Sequence, residues 1–226
     1  MNAMTSPLRT TSSNTVTIAV CGNPNTGKTT IFNAITGLSQ QVGNYPGVTV
    51  EKVSGYFTVD SYEGVRYNLV DIPGAYSLAA ISPDEHIAAS ALYGKVSGSK
   101  LPDAIICVLD ATNLERSLYL LLQILQIGQP VVLALNMVDL AERRAISIDT
   151  KELSELLGGI PVVPVVGNRS QGMEQLKEEV AAILDRPFCP IVPRYDTAVE
   201  VLLARLFKRQ EVAHVSRAEL IRVLFD

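Results

Sequence analysis

The sequence predicts an α/β fold: a mostly parallel sheet covered by helices, plus a small helical segment at the C-terminal end. Three observations carry this. Apolar runs of strand length alternate with helix-period segments from Thr15 to Leu184. A glycine-rich turn, Gly22-Asn23-Pro24-Asn25-Thr26-Gly27-Lys28-Thr29, stands where the first strand passes into the first helix. Beyond Arg186 the alternation stops, and two helical stretches follow with no strand between them.

At 226 residues the chain buries one sizeable core and has room for a small appendage. A formal charge of -4 argues against a non-specific nucleic-acid grip, which needs a basic face. The cysteines are Cys21, Cys107 and Cys189, and the first two lie in apolar runs, so a reducing compartment is expected rather than a disulfide scaffold. His86 and His214 stand apart from any cluster and read as solvated, not as zinc or iron ligands. No run of 18 apolar residues appears, so no segment is expected to span a bilayer. Residues 1–14 are polar and rich in Ser and Thr, without a signal-peptide core, and read as a disordered tail ahead of a soluble cytosolic chain.

Thr15 to Cys21 is the first strand, apolar enough to be buried on both faces. The helix Lys28 to Thr36 stops at Gly37, a C-cap. Ser39 to Thr49 is polar, broken by Gly43, Asn44, Pro46 and Gly47, and reads as a long functional loop. Val50 to Val59 and Val65 to Val70 form a hairpin that ends at Asp71, with Pro73-Gly74 breaking the second strand. Pro83-Asp84-Glu85 starts a helix running towards Tyr93. Strand Ala104 to Asp110, helix Leu114 to Ile127 and strand Pro130 to Leu135 follow. Ile148 to Leu157 is helical, with Asp149 or Thr150 as cap; Ile160 to Val166 is the last strand and Met173 to Leu184 the last helix of a first domain, residues 15–185. Three prolines between Arg186 and Pro193 make a linker. Helices Thr197 to Gln210 and Arg217 to Leu224, the second with a Ser216/Glu219 capping box, make residues 186–226 a truncated helical subdomain.

The glycine-rich turn has the context and composition of the phosphate loop of a P-loop NTPase. Its glycines let the backbone wrap the phosphates, the amides from Asn25 to Thr29 point inward, and the new helix adds its positive end to Lys28. Thr29 is placed to hold Mg2+ through its hydroxyl. Asp71 can accept hydrogen bonds from waters on that ion, and the amide of Gly74 can meet a γ-phosphate. Thr49, closing the long loop, is the natural second Mg2+ oxygen. Thr36 and Thr58 lie outside any such context, and Thr30 follows the metal-binding hydroxyl along the helix, counting instead among the nucleotide contacts. A loop tied to Mg2+ only through the γ-phosphate would order with triphosphate and loosen with diphosphate. Asn136-Met137-Val138-Asp139 ends an apolar strand on the same side of the sheet. Asp139 can accept from N1 and the exocyclic amine of guanine, a pair adenine does not offer, while Asn136 braces the phosphate loop and the base.

In that order these segments resemble the motif series of Ras-like small G proteins. Gly22 to Asn25, Val42 to Glu51, Asp71 to Leu78 and Ala134 to Asp139 are more closely similar to the cytosolic G domain of the FeoB family of bacterial ferrous-iron transport proteins. The resemblance covers Val16 to about Leu184, and the helical remainder resembles the start of that family's helical domain. It implies a slow GTPase on the cytoplasmic side of a bacterial inner membrane, with GTP or GDP and Mg2+ bound. It also implies a membrane permease in the same polypeptide, and leaves a small cytosolic iron-transport partner or self-association open. Gly47, Val48 and Thr49 fall in its mobile-loop motif. Met137 stands where small G proteins usually carry lysine, which removes a packing stem over the base. Val166, Gly167 and Asn168, with Arg169, occupy the place where a Ser-Ala pair usually contacts the guanine oxygen. Asn25 matches an asparagine that helps bind K+ in potassium-activated members, with Asn44 and Tyr45 in the loop that closes over it. Ala75 stands where Ras-like enzymes have a water-positioning glutamine, so backbone groups of the mobile loop, with Tyr76 or a nearby acid, are expected to place the water and hydrolysis is expected to be slow; the candidate catalytic residues are Asn25, Lys28, Thr49 and Gly74. A second reading is a nucleotide-dependent sensor whose change of shape, not hydrolysis, is the output.

Overall fold

The computed structural model describes residues 15–37, 40–46, 48–79, 82–96, 100–186 and 197–206. The N-terminal tail, Gly47, Cys189, His214, the proline-rich linker beyond Arg186 and the helix expected at Arg217 to Leu224 lie outside the described residues. Seven strands form one sheet: β1 (Thr15–Gly22), β2 (Gln40–Asn44), β3 (Glu51–Phe57), β4 (Arg66–Asp71), β5 (Ala104–Asp110), β6 (Val131–Asn136) and β7 (Val162–Pro164), in spatial order β2-β3-β4-β1-β5-β6-β7. Pairs β4-β1, β1-β5, β5-β6 and β6-β7 are parallel; β2-β3 and β3-β4 are antiparallel. The helices are α1 (Lys28–Thr36), α2 (Pro83–Leu92), α3 (Leu114–Leu125), α4 (Val138–Arg143), α5 (Thr150–Leu156), α6 (Met173–Leu184) and α7 (Thr197–Leu206).

Alternation along β1 divides the core. Ile18 and Val20 face α1 and α6 through Ile31, Phe32, Leu176 and Val180. Ala19 and Cys21 face α2 and α3 through Ala88, Leu92, Leu120, Leu121 and Ile124. Both sides of the central strands are therefore dry, which is why β5 and β6 read as continuous apolar runs. Cys21 and Cys107 are register neighbours on β1 and β5, both buried and both free thiols. The adjacent Cys21 thiol and burial push the Cys107 thiol up. His86 is exposed, and among the described residues no cluster of His, Cys, Asp and Glu could hold a metal, and no helix is long and apolar enough to cross a membrane.

The structure departs from the sequence reading in three places. Gln40–Asn44, expected as loop, is an edge strand with all five residues exposed. It forms by backbone pairing with β3 alone, so it carries no apolar pattern. The turn after Asn136 continues as α4, whose single buried residue is Ala141. The last strand shrinks to Val162–Pro164, with Pro164 at the outer edge of the sheet. The helix expected over Thr197 to Gln210 is present as far as Leu206, where the described residues end. The other elements agree to within a few residues, including the Gly37 cap of α1 (φ 62°) and the Asp149 cap of α5.

Gly22 shows how tightly the end of β1 is packed: a Cβ there would lie 2.4 Å from the carbonyl oxygen of Val108. Gly37 has a left-handed φ of 62° but nothing within 4 Å of its Cβ position. Denaturant unfolding should therefore separate the two positions. Gly22→Ala is expected to cost roughly 3 kcal/mol or more by backbone overlap, and Gly37→Ala less, about 1–3 kcal/mol, from a positive-φ backbone that side chains disfavour.

Candidate functional site

The loop Gly22 to Lys28 leaves β1 and enters α1 through two left-handed residues, Asn25 (φ 66°) and Gly27 (φ 86°). Gly27 is the N-cap position of α1 and no side chain caps the helix, so its first-turn amides are left to an anion. Within the loop Thr26 turns inward, its hydroxyl donating to the carbonyl of Asn23 at 2.9 Å. Asn25, Thr29 and Thr30 are exposed along the lip, with Pro24 and Lys28 half-buried.

The segment after β4 continues along the end of β1: Ile72 N–H donates to Val20 O at 2.9 Å and Ala75 N–H to Gly22 O at 3.3 Å. This brings Gly74 against the loop. A Cβ on Gly74 would lie 3.2 Å from Lys28 Nζ and 3.2 Å from Pro24 N and Cγ, so the approach needs a residue without a side chain. Asp71, at the end of β4, accepts from the Thr29 hydroxyl at 3.4 Å on Oδ2, while its Oδ1 is buried without a partner. Burial holds this carboxyl above the ordinary carboxylate range, against the pull of the Lys28 ammonium and the Thr29 hydroxyl. An orphaned carboxylate oxygen beside a hydroxyl is the donor set a hydrated divalent cation takes, so Thr29 and Asp71 fit Mg2+.

Asn136, at the end of β6 and 3% exposed, joins two loops. Its Nδ2 donates to Thr26 O at 2.9 Å, and its Oδ1 accepts from Gly167 N–H at 3.0 Å. Met137 follows at φ 63°, its methyl 3.8 Å from the Cβ position of Gly27. Its stem therefore lies against the phosphate loop. Asp139 is half-buried in the first turn of α4, with Arg169 Nη2 3.7 Å from its Oδ2. Val166 and Gly167 are buried, and Asn168 and Arg169 are exposed on the turn that follows.

The remaining predicted residues lie on the β2-β3 turn. Thr49 and Val48 are exposed there. Tyr45 is 3% exposed, its hydroxyl donating to Asp71 O at 3.4 Å. Burial, and secondarily the Asp71 charge, push its phenol up to about 12. Its amide donates to Val50 O and its carbonyl accepts from Val48 N–H, while Asn44 pairs with Glu51. The structure thus gathers Lys28, Thr29, Asp71, Gly74 and Asn136 at the carboxyl ends of β1, β4 and β6. Thr49 stands outside that group on an exposed turn.

Sequence reasoning missed the side chains that hold residues 76–78. Tyr76 N–H donates to Glu85 Oε1 at 3.1 Å and Leu78 N–H to Gln123 Oε1 at 2.8 Å. The Arg116 guanidinium lies 4.5 Å over the Tyr76 ring, and its carbonyl accepts from Asn23 Nδ2 at 3.1 Å. Only the helical spacing of Arg116 and Gln123 could have hinted at this, since neither belongs to a motif.

A phosphate loop feeding a helix, an Asp-X-Pro-Gly turn closing on its lysine and an Asn-X-X-Asp strand end define a P-loop nucleotide-binding G domain of the Ras-like kind. Within that class, residues 16–180 match the family model described as ferrous iron transport protein B, and the chain belongs to the FeoB family. It is 49% identical over 166 residues to the Fe(2+) transporter FeoB of Salmonella typhimurium, an alignment covering 72% of this chain and 20% of that protein. The match thus spans about a fifth of the length of the curated relatives. Among solved structures, the cytosolic domain of L. pneumophila FeoB is 40% identical with a TM-score of 0.78, covering 91% of this chain and 77% of that one. The G domain of T. maritima FeoB is 45% identical with a TM-score of 0.66, covering 75% of this chain and 98% of that one. A point mutant of S. thermophilus NFeoB bound to GDP is 38% identical with a TM-score of 0.73, covering 85% of this chain and 71% of that one.

The raised Asp71 carboxyl sets a sign for stability against pH in metal-free protein. Its contribution is complete below the unfolded aspartate value of about 3.9 and is lost as pH rises through the higher folded value. Asp71→Asn cannot ionise, so its melting temperature should gain on the parent's as pH is raised from the acid range to neutrality in chelator. Parallel curves would show that Asp71 carries no such penalty.

Proposed function

We propose that this chain is the guanine-nucleotide-binding regulatory domain of a ferrous-iron transporter, binding GTP and GDP with Mg2+ and hydrolysing GTP slowly. The observation that carries the reading is the closure of Gly74 on Lys28, 3.2 Å from the Cβ position to Nζ, beside the Thr29–Asp71 pair. These residues form two walls of a γ-phosphate pocket. The S. thermophilus relative bound to GDP and a T. maritima relative in a GMPPNP form support it.

In this reading the amides of Asn25 to Thr29 cradle the phosphates, Gly22 and Gly27 allow the close approach, and Lys28 and the Gly74 amide hold the γ-phosphate. Thr29 would hold Mg2+ directly and Asp71 through water; Thr49 would join when the β2-β3 turn folds over the nucleotide. The ion, when bound, neutralises charge on the β- and γ-phosphates. Asp139 reads guanine N1 and the exocyclic amine once Arg169 yields its carboxylate. The Gly167 amide is engaged by Asn136, so the turn that begins at Val166 offers its next amide, that of Asn168, to the guanine oxygen. Asn25 offers an amide oxygen that suits K+. Asn44 and Tyr45 are committed to the hairpin in this structure, so completing that shell requires the hairpin turn to open.

Residues 15–185 are the nucleotide-binding unit, and 186–226 begin the helical unit. The share of the relatives covered supports a permease in the same polypeptide; in this reading the domain lies on the cytoplasmic face of a bacterial inner membrane and binds a small cytosolic partner or a second copy, and no nucleic acid. Ala75 is 3% exposed and has no polar side-chain atom, which favours slow turnover and keeps the sensor reading alive. Single-turnover hydrolysis compared with GDP dissociation decides between them: chemistry much slower than GDP loss means a sensor.

Asp139→Asn should weaken GTP and GDP together and improve xanthosine nucleotides, by a factor on the order of 10²–10³ in relative preference, since a carboxylate acceptor becomes a donor. Calorimetric titration of both series measures it, and undiminished GTP affinity removes Asp139 from the base site.

Hydrolysis should also run faster in KCl than in NaCl at equal ionic strength, and Asn25→Ala should erase the difference while sparing Mg2+-dependent nucleotide binding, because the charge being compensated develops in the transition state. Equal single-turnover rates of the parent in the two salts would return Asn25 to a purely structural role.

A further inference from the structure

We propose that helix α3, through Gln123 and Arg116, positions the segment that aligns the attacking water, a task that no side chain directly after Gly74 performs. The inference rests on the hydrolase reading above. Ala75 points into the core and offers no polar side-chain atom, so water alignment falls to other groups, the backbone of residues 74–78 beside the phosphate loop among them. Their direction depends on what holds the segment. On one side Ala75 N–H is tied to Gly22 O. On the other, Leu78 N–H donates to Gln123 Oε1 at 2.8 Å, and Gln123 Nε2 donates to Ser77 Oγ at 3.4 Å. Gln123 therefore grips two consecutive residues with both ends of its amide.

Arg116 stands seven residues earlier, two helical turns away and on the same face of α3. It covers the Tyr76 ring at 4.5 Å while its carbonyl accepts from Asn23 of the phosphate loop. One helix face thus touches both the loop that holds the phosphates and the segment that follows Gly74. The adjoining face is anchored: Leu120, Leu121 and Ile124 are at most 2% exposed in the core against the sheet. A helix fixed this way gives the segment a reference frame that does not move with it. Displacement by about 1 Å is enough to cost a reacting group on the order of 10²-fold in rate. Gln123 and Arg116 are positioning residues, since both act through residues 76–78 and the phosphate loop.

The test uses the whole 226-residue chain. Gln123→Leu keeps the side-chain size and removes both hydrogen bonds; Gln123→Glu keeps an acceptor for Leu78 N–H; Arg116→Ala alters an exposed side chain and leaves packing alone. Single-turnover GTP hydrolysis at saturating nucleotide, KM and GDP affinity are measured for each. Gln123→Leu should slow the chemical step about tenfold or more with KM and GDP affinity near the parent's, the signature of an interaction felt in the transition state. Gln123→Glu should recover most of the rate. Arg116→Ala should slow it about two- to fivefold, the range of an exposed cation–π contact. Parent-like rates in Gln123→Leu and Arg116→Ala, a GDP affinity that falls in step with the rate, or a Gln123→Glu no faster than Gln123→Leu would each overturn the positioning role and leave the hydrolase reading standing. A parent chain that leaves bound GTP intact would withdraw the hydrolase reading and this inference with it.

Discussion

The site depends on one buried amide. Asn136 ends β6, yet its hydrogen bonds go sideways, to Thr26 O in the phosphate loop and from Gly167 N–H in the turn after β7. Three connections that are far apart in sequence are thereby set at fixed heights above the sheet. The arrangement imposes its own requirement on the chain, because a Cβ at Gly27 would lie 2.3 Å from Asn136 Nδ2. Gly27 is thus needed twice, for its left-handed turn and for the room Asn136 occupies. At 3% exposure both ends of the amide must be satisfied, and leaving either loop polar group unpaired costs about 1–3 kcal/mol.

That brace works because the strands beneath it are rigid. β1, β5 and β6 run parallel, with core on both faces, and their carboxyl ends share one edge of the sheet. Each end delivers a different group: the phosphate loop from β1, the Asp110 turn and α3 from β5, Asn136 and α4 from β6. The other half of the sheet is built differently. β3 and β4 form an antiparallel hairpin and β2 is added at the edge, exposed along its whole length. Packing therefore grades from dry at the centre to solvated at β2, and the residues with a proposed nucleotide-dependent role lie on the solvated side.

How much the sequence revealed follows the same gradient. β1, β5 and β6 are apolar runs that could only be buried strands, and the glycines, prolines and acidic residues at their ends marked the turns. Asp71, Gly74 and Asn136 were legible because each has a chemical reason to be where it is. β2 was not: Gln40-Gln41-Val42-Gly43-Asn44 has no burial pattern, and its pairing partner is found only in three dimensions. α4 was hidden for a related reason, since it buries one residue. Arg169 was placed near the base by its segment, but its pairing with Asp139 was not, and Gln123 and Arg116 behind residues 76–78 belong to no motif. Their roles come from where the fold delivers them, which no spacing within a short stretch encodes.

Asp71 is where the rigid and the solvated halves meet. Its Oδ2 accepts from Thr29 in α1, its Oδ1 is left without a partner, and its backbone oxygen accepts from the Tyr45 hydroxyl in the β2-β3 turn. Tyr45 is buried although the strand before it is exposed, so it anchors the hairpin turn to the same residue that would hold the hydrated metal. Burial first, and the Asp71 charge second, push the Tyr45 phenol up to about 12, so it stays a neutral donor to the Asp71 carbonyl. Tyr45 also ties the turn together through its backbone, pairing with Val50 and Val48 on either side of Thr49. The hydrogen bond to the Asp71 backbone thus joins the turn to the residue that carries the orphaned oxygen, so a displacement of Asp71 reaches the turn by direct contact.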